Sequence, residues 1–111
     1  MLPDRKLKFI LDRESVISEI AFVKQRFSSF HDFQNDRLAT RAVERQLEII
    51  GEAVNNLLKI DPEIGISNAR KMVGLRNLII HSYDSVDVAI LWGIIQKDIP
   101  VLENEIASLK G

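Results

Sequence analysis

At 111 residues the chain has room for one domain with a real core and too little for two. A formal net charge of −1 with 28% charged residues describes an ordinary soluble surface, so any contact with nucleic acid has to come from a local basic patch. The absence of cysteine excludes a disulfide framework, a thiolate metal site and cysteine redox chemistry.

Residues 1–111 read as a single all-α domain, because the periodicity is helical throughout and only five glycines and three prolines interrupt it. In the first segment Phe9, Val16, Val23 and Phe30 recur every seven residues, with Ile20 and Phe27 between them. That stripe predicts a bundle-facing helix from about Asp4 to Ser29. The polar string "HDFQND" (31–36) interrupts it, and Asp36 is the expected N-cap of a second helix of about twenty residues. The buried stripe of that helix is Val43, Leu47, Ile50, Val54 and Leu57. Pro62 and Gly65 mark a connection, after which Ser67 is expected to cap a third helix burying Met72, Leu75, Ile79 and Ser82. Asp84 and Asp87 form a capping pair for the fourth helix, whose stripe is Val88, Leu91, Ile95, Ile99, Leu102, Ile106 and Leu109. Pro100 should kink it, since proline removes a backbone donor. Four such helices on short connections pack most simply as an antiparallel four-helix bundle, with room for a short extra helix.

Neither end of the membrane question is encouraging for insertion. The opening "MLPDRKLKFILDRESVISEI" intersperses charges too densely for a signal-peptide core, and the apolar run "VAILWGII" from Val88 falls well short of the ~18 residues needed to span a bilayer. A soluble, unexported, cytoplasmic protein with no membrane association is the expectation.

The third helix carries an unusual concentration of polar groups in "GLRNLIIHSYDSVD", Gly74 to Asp87. On a regular helix Arg76 and Tyr83 lie roughly 20° apart and Asn77 and His81 roughly 40° apart, while Arg76 and His81 differ by roughly 140°. One straight helix therefore does not aim Arg76 and His81 at a single atom. Two copies of the helix facing each other across a two-fold axis would, with Ile80 as the apolar centre of the contact, which points to a homodimer. The chemistry suited to such a cleft is phosphodiester cleavage. Arginine offers a permanent fork of donors to phosphate oxygens, and histidine moves protons near neutral pH. His81 would withdraw the 2′-hydroxyl proton of RNA or protonate the leaving oxygen, Arg76 would stabilise charge on the phosphorus oxygens, and Asn77 would orient the imidazole or the phosphate. The same residues also permit a structural reading, in which His81 is a hydrogen-bonding group and Arg76 pairs with Glu48 or Glu52 across the bundle.

The segment "RNLIIHSY", with its arginine, four residues, histidine, one residue and tyrosine, resembles the signature of the HepT-like toxins of the HEPN superfamily of helical ribonucleases. "AVERQLEIIGEA" (Ala42 to Ala53), the "GLRN" lead-in, Val86 with Asp87, and "LWGIIQKDIPVLENEI" (Leu91 to Ile106) resemble the same family in the same order. The resemblance implies a HEPN-like bundle and a homodimeric, metal-independent endoribonuclease, without cofactor, in which Arg76 and His81 are catalytic. It implies further that this is the toxin of a toxin–antitoxin pair. The partner would be an MNT-type nucleotidyltransferase that silences it by attaching AMP to Tyr83. Held near Arg76, the added phosphate would mimic substrate. A second reading of another class makes the chain a catalytically idle helical subunit that docks on a nucleotidyltransferase and presents Tyr83 or a bound substrate.

Other charged groups admit plainer roles. Arg70 and Lys71, one or two turns before Arg76, extend a basic rim toward RNA. Arg37, Arg41 and Arg45 form either a track for an RNA backbone or, the favoured reading, a solvated face laced by Arg45 to Glu48 contacts. Neither His31 nor His81 has the glutamate three residues before it that a carboxylate-bridged metal bundle needs, so no metal site is expected. Gly51 and Gly74 are read as points of close helix approach, and Trp92 as core or dimer surface.

Overall fold

The computed structural model of the chain describes the backbone of residues 4–81 and 86–110, and the side chains of residues 14–81 and 86–109. Six α-helices follow one another: α1 Asp4–Arg26, α2 Phe30–Gln34, α3 Arg37–Ile60, α4 Ala69–His81, α5 Val88–Gly93 and α6 Ile99–Lys110. A π-helical turn, Ile94–Asp98, joins the last two without a break. No strand occurs among the described residues, and none of their helices is long and apolar enough to cross a membrane.

The amphipathic pattern of α3 makes it the centre of the bundle. Val43, Leu47, Ile50, Val54 and Leu57 are all buried, as their spacing predicts, and α3 lies against both α1 and α4 while α6 returns onto α1. Its start is set by Asp36, whose side chain accepts the Ala39 N–H at 3.0 Å and so satisfies one of the donors a helix leaves free. On α1 the fully buried contacts come from Ile17 and Ile20, with Val16, Val23 and Phe27 half-buried beside them. The side chain of Phe9 lies outside the described residues.

Two local expectations are corrected. First, α1 stops at Arg26, and the polar string that follows is itself the short helix α2. Ser29 caps it by accepting the Asp32 N–H at 3.2 Å, and Phe33 anchors it, fully buried between Phe27 (ring centroids 5.6 Å) and Trp92 (5.3 Å). Trp92 thereby belongs to the core. Second, Ser67 does not cap α4. The first intrahelical bond runs from Met72 N–H to the Asn68 carbonyl, which makes Asn68 the boundary residue, while the Ser67 N–H and hydroxyl bond the Glu105 carboxylate of α6 at 3.0 Å. Ahead of Pro100 the last helix changes its winding. Pro100 offers no N–H to the Gln96 carbonyl, and the Ile99 N–H reaches back five residues to Ile94. The wider turn brings Ile94, Ile95 and Ile99 all into the core. Asp87 caps α5 by accepting from the Ala89 N–H at 2.9 Å, and Asp84 lies outside the described residues.

Candidate active site

The polar groups of interest ride on α4, whose apolar side, Met72 and Leu75 with half-buried Ile79, is pressed onto α3. Gly51 of α3 sits directly under this contact. A Cβ there would lie 2.7 Å from the Met72 carbonyl oxygen and would overlap the Arg76 Cβ, so only glycine permits the two helices to meet this closely. Gly74, by contrast, has no atom within 4 Å of a notional Cβ and faces outward, so it does not serve an approach within the chain.

Arg76 is half-buried, its stem laid along the seat that Gly51 leaves. Its Nη1 donates to Asn77 Oδ1 at 2.9 Å, and its Nε is buried without a hydrogen-bond partner. The cross-bundle pairing with Glu48 or Glu52 does not occur: Glu48 takes Arg45 instead, at 3.2 Å. Arg76 thus holds a permanent positive charge that no carboxylate among the described residues neutralises. Oxygen anions of a ligand are the groups such a fork accepts best. Asn77, expected to steer the imidazole or a phosphate, is engaged with the guanidinium.

His81 is the last residue of α4, exposed and without a hydrogen bond to any described residue. Arg70, Asn77 and His81 are all exposed and fall within an arc of roughly 40° on the outer face of the helix. Leu78 and Ile80 lie around that arc, 46% and 44% exposed, an apolar surface left open in the single chain. Tyr83, the expected modification site, and Ser82 lie outside the described residues.

Lys71 points elsewhere. Its Nζ is held at 2.8 Å by Asp98 Oδ2, and Asn68 Nδ2 donates to the Asp98 carbonyl at 3.2 Å, so these side chains tie the start of α4 to the π-turn. Of the two rim cations, Arg70 is the one left pointing to solvent. The Gly51 seat was signalled in the sequence by a lone glycine inside a long apolar-periodic helix. The Lys71 to Asp98 tie carries no sequence signal, because the two lie 27 positions apart.

The family described as Ribonuclease HepT-like matches residues 14–109. An RNase-named protein of Caldanaerobacter subterraneus subsp. tengcongensis is 39% identical over 99 residues, covering 86% of this chain and 88% of its own. An RNase-named protein of Methanocaldococcus jannaschii is 37% identical over 95 residues, with 84% of each chain covered. A "Probable ribonuclease HepT" of Thermococcus cleftensis is 36% identical over 103 residues, covering 87% of this chain and 91% of its own. No solved structure matches the chain.

Proposed function

This chain belongs to the HepT-like ribonuclease family, so its activity is endonucleolytic cleavage of RNA, and we propose that it works without a metal ion at a cleft formed between two copies of α4. The observation that carries this reading is the state of Arg76: half-buried, steadied by Asn77 and, among the described residues, unpaired with any carboxylate, on the same helix as a His81 that no described residue engages. Such a guanidinium is poised to receive phosphate oxygens, and an exposed imidazole is able to exchange protons with substrate.

In the proposed reaction His81 removes the proton from a ribose 2′-hydroxyl as its oxygen attacks the adjacent phosphorus, or returns a proton to the 5′-oxygen as the phosphorus–oxygen bond breaks. The roughly 140° between Arg76 and His81 on one helix supports placing these roles on residues of facing subunits. Charge gathering on the non-bridging oxygens is met by Arg76, in the manner of an oxyanion site. Exposed Leu78 and Ile80 supply the apolar part of the subunit contact, and Arg70, with Lys71 behind it, the basic rim along which RNA enters.

The biological setting proposed is that of a toxin held in check by a cognate MNT-type nucleotidyltransferase in the cytoplasm. Tyr83 follows Arg76 by seven positions, and AMP attached to its phenol would bring a phosphate to the guanidinium and block the cleft. The test is RNA cleavage by purified protein in EDTA. Wild type should cut. His81→Ala should lose about 10²- to 10⁴-fold and Arg76→Ala about 10²- to 10³-fold, with helicity and assembly intact. Equal cleavage by wild type and His81→Ala would refute the assignment.

A further inference from the structure

We propose that Gly51, on a different helix from every residue of the signature, is a positioning residue for Arg76. This inference rests on the ribonuclease reading and adds to it the way in which the guanidinium is aimed. Gly51 is the sole glycine of α3 and is buried in its middle, where a glycine weakens the helix and contributes no packing of its own. The space it leaves is not empty. It is filled by the Arg76 Cβ and by Cγ, which would stand 3.2 Å from a side chain at position 51, and by the Met72 carbonyl one turn earlier.

The consequence appears at the far end of the same side chain. With its stem sunk onto α3, Arg76 has its Nε inside the protein without a partner, while Nη1 reaches Asn77 Oδ1 at 2.9 Å. A charged N–H left unpaired in the interior is unfavourable, so a freely rotating arginine would not adopt this placement. The seat and the Asn77 bond together impose it. Burial of Nε also closes the side-on edge of the guanidinium, the edge made of Nε and one terminal nitrogen. A phosphate therefore meets Arg76 end-on, through Nη1 and Nη2. A methyl group at position 51 would lift the stem and α4 together, and displacements of about 1 Å at a reacting centre cost on the order of 10²-fold in rate.

The experiment is a double-mutant cycle read by single-turnover cleavage of RNA, joined to exchange of the Arg76 Nε–H measured by nitrogen-15 NMR. Gly51→Ala should lower kcat by about 10- to 100-fold with KM changed much less, and should change nothing further when added to Arg76→Ala. An equal loss in both backgrounds would mean that Gly51 supports only the fold, and would overturn the proposal. In wild type the Arg76 Nε–H should exchange more slowly than that of exposed Arg70, and Gly51→Ala should remove the difference. If Gly51→Ala does not fold, the wild-type protein decides alone: Nε–H exchange as fast as that of Arg70 overturns the seat. Absence of cleavage by wild type would sink the ribonuclease reading, and the exchange rates would still judge the placement of Arg76.

Discussion

Replacing Asn77 separates the orientation of Arg76 from its charge. The Asn77 Oδ1 accepts from Arg76 Nη1 at 2.9 Å and is the only hydrogen-bond acceptor that the guanidinium has among the described residues. A hydrogen bond to a charged donor contributes about 1.5–3 kcal/mol when well shielded, and the exposure of Asn77 brings this down to about 1–2 kcal/mol. At 1.36 kcal/mol per tenfold change in rate, Asn77→Ala should reduce kcat by about 5- to 30-fold. Asn77→Asp keeps an acceptor at the same place but sets a carboxylate against the guanidinium, so it should hold the fork yet lose more than Asn77→Ala by competing with the phosphate. Both substitutions are on the surface and should leave stability within about 0.5 kcal/mol of wild type. The assay is cleavage of a fluorescent RNA in EDTA at fixed salt, with thermal melts on the same samples. Asn77→Ala indistinguishable from wild type would refute the idea that this bond orients Arg76.

Two other outcomes test the fold and the rim. Phe33→Ala should cost about 3–5 kcal/mol and lower the melting temperature by about 10 °C or more, since Phe33 is fully buried and holds α2 between Phe27 and Trp92. A drop of less than about 3 °C would show that α2 is not anchored there. Arg70→Ala should weaken RNA binding and reduce the slope of log affinity against log salt by about one, whereas Lys71→Ala, whose ammonium is held by Asp98, should change the slope less. The reverse order, measured by fluorescence anisotropy, would remove Arg70 from the RNA path.

What could be read from the sequence was what depends on local periodicity. The stripe of α3 and the Asp36 cap follow from side chains that act on their own helix, and both are found as expected. Ser67 was misread because a capping hydroxyl has competitors: the Glu105 carboxylate, 38 residues away, takes both its N–H and its hydroxyl. A short extra helix was allowed for, but the place of α2 was not read because five residues are too few to show a period, and its one buried aromatic is hidden in a polar string. Pro100 signalled a disturbance, and the π-turn just before it, with Ile94, Ile95 and Ile99 buried, is a detail that helical spacing does not show. At the site, helical spacing put Arg76 and His81 on one element, but the bond from Arg76 to Asn77 and the seat at Gly51 depend on rotamers and on the neighbouring helix. The two glycines illustrate the limit. Gly51 and Gly74 look alike as letters, and only the placement of α4 on α3 makes one a point of contact and the other an outward-facing gap.

The most direct measurement mixes two inactive proteins. Arg76→Ala and His81→Ala homodimers are each expected to be impaired, and a dimer exchanged from one subunit of each still offers one arginine and one histidine to a shared cleft. Cleavage by the mixture should rise well above that of either parent once subunits have exchanged, and should follow the fraction of heterodimer. A mixture that forms heterodimers and stays as inactive as its parents would contradict a cleft built from facing subunits, as would full activity in a protein that is monomeric at the assay concentration.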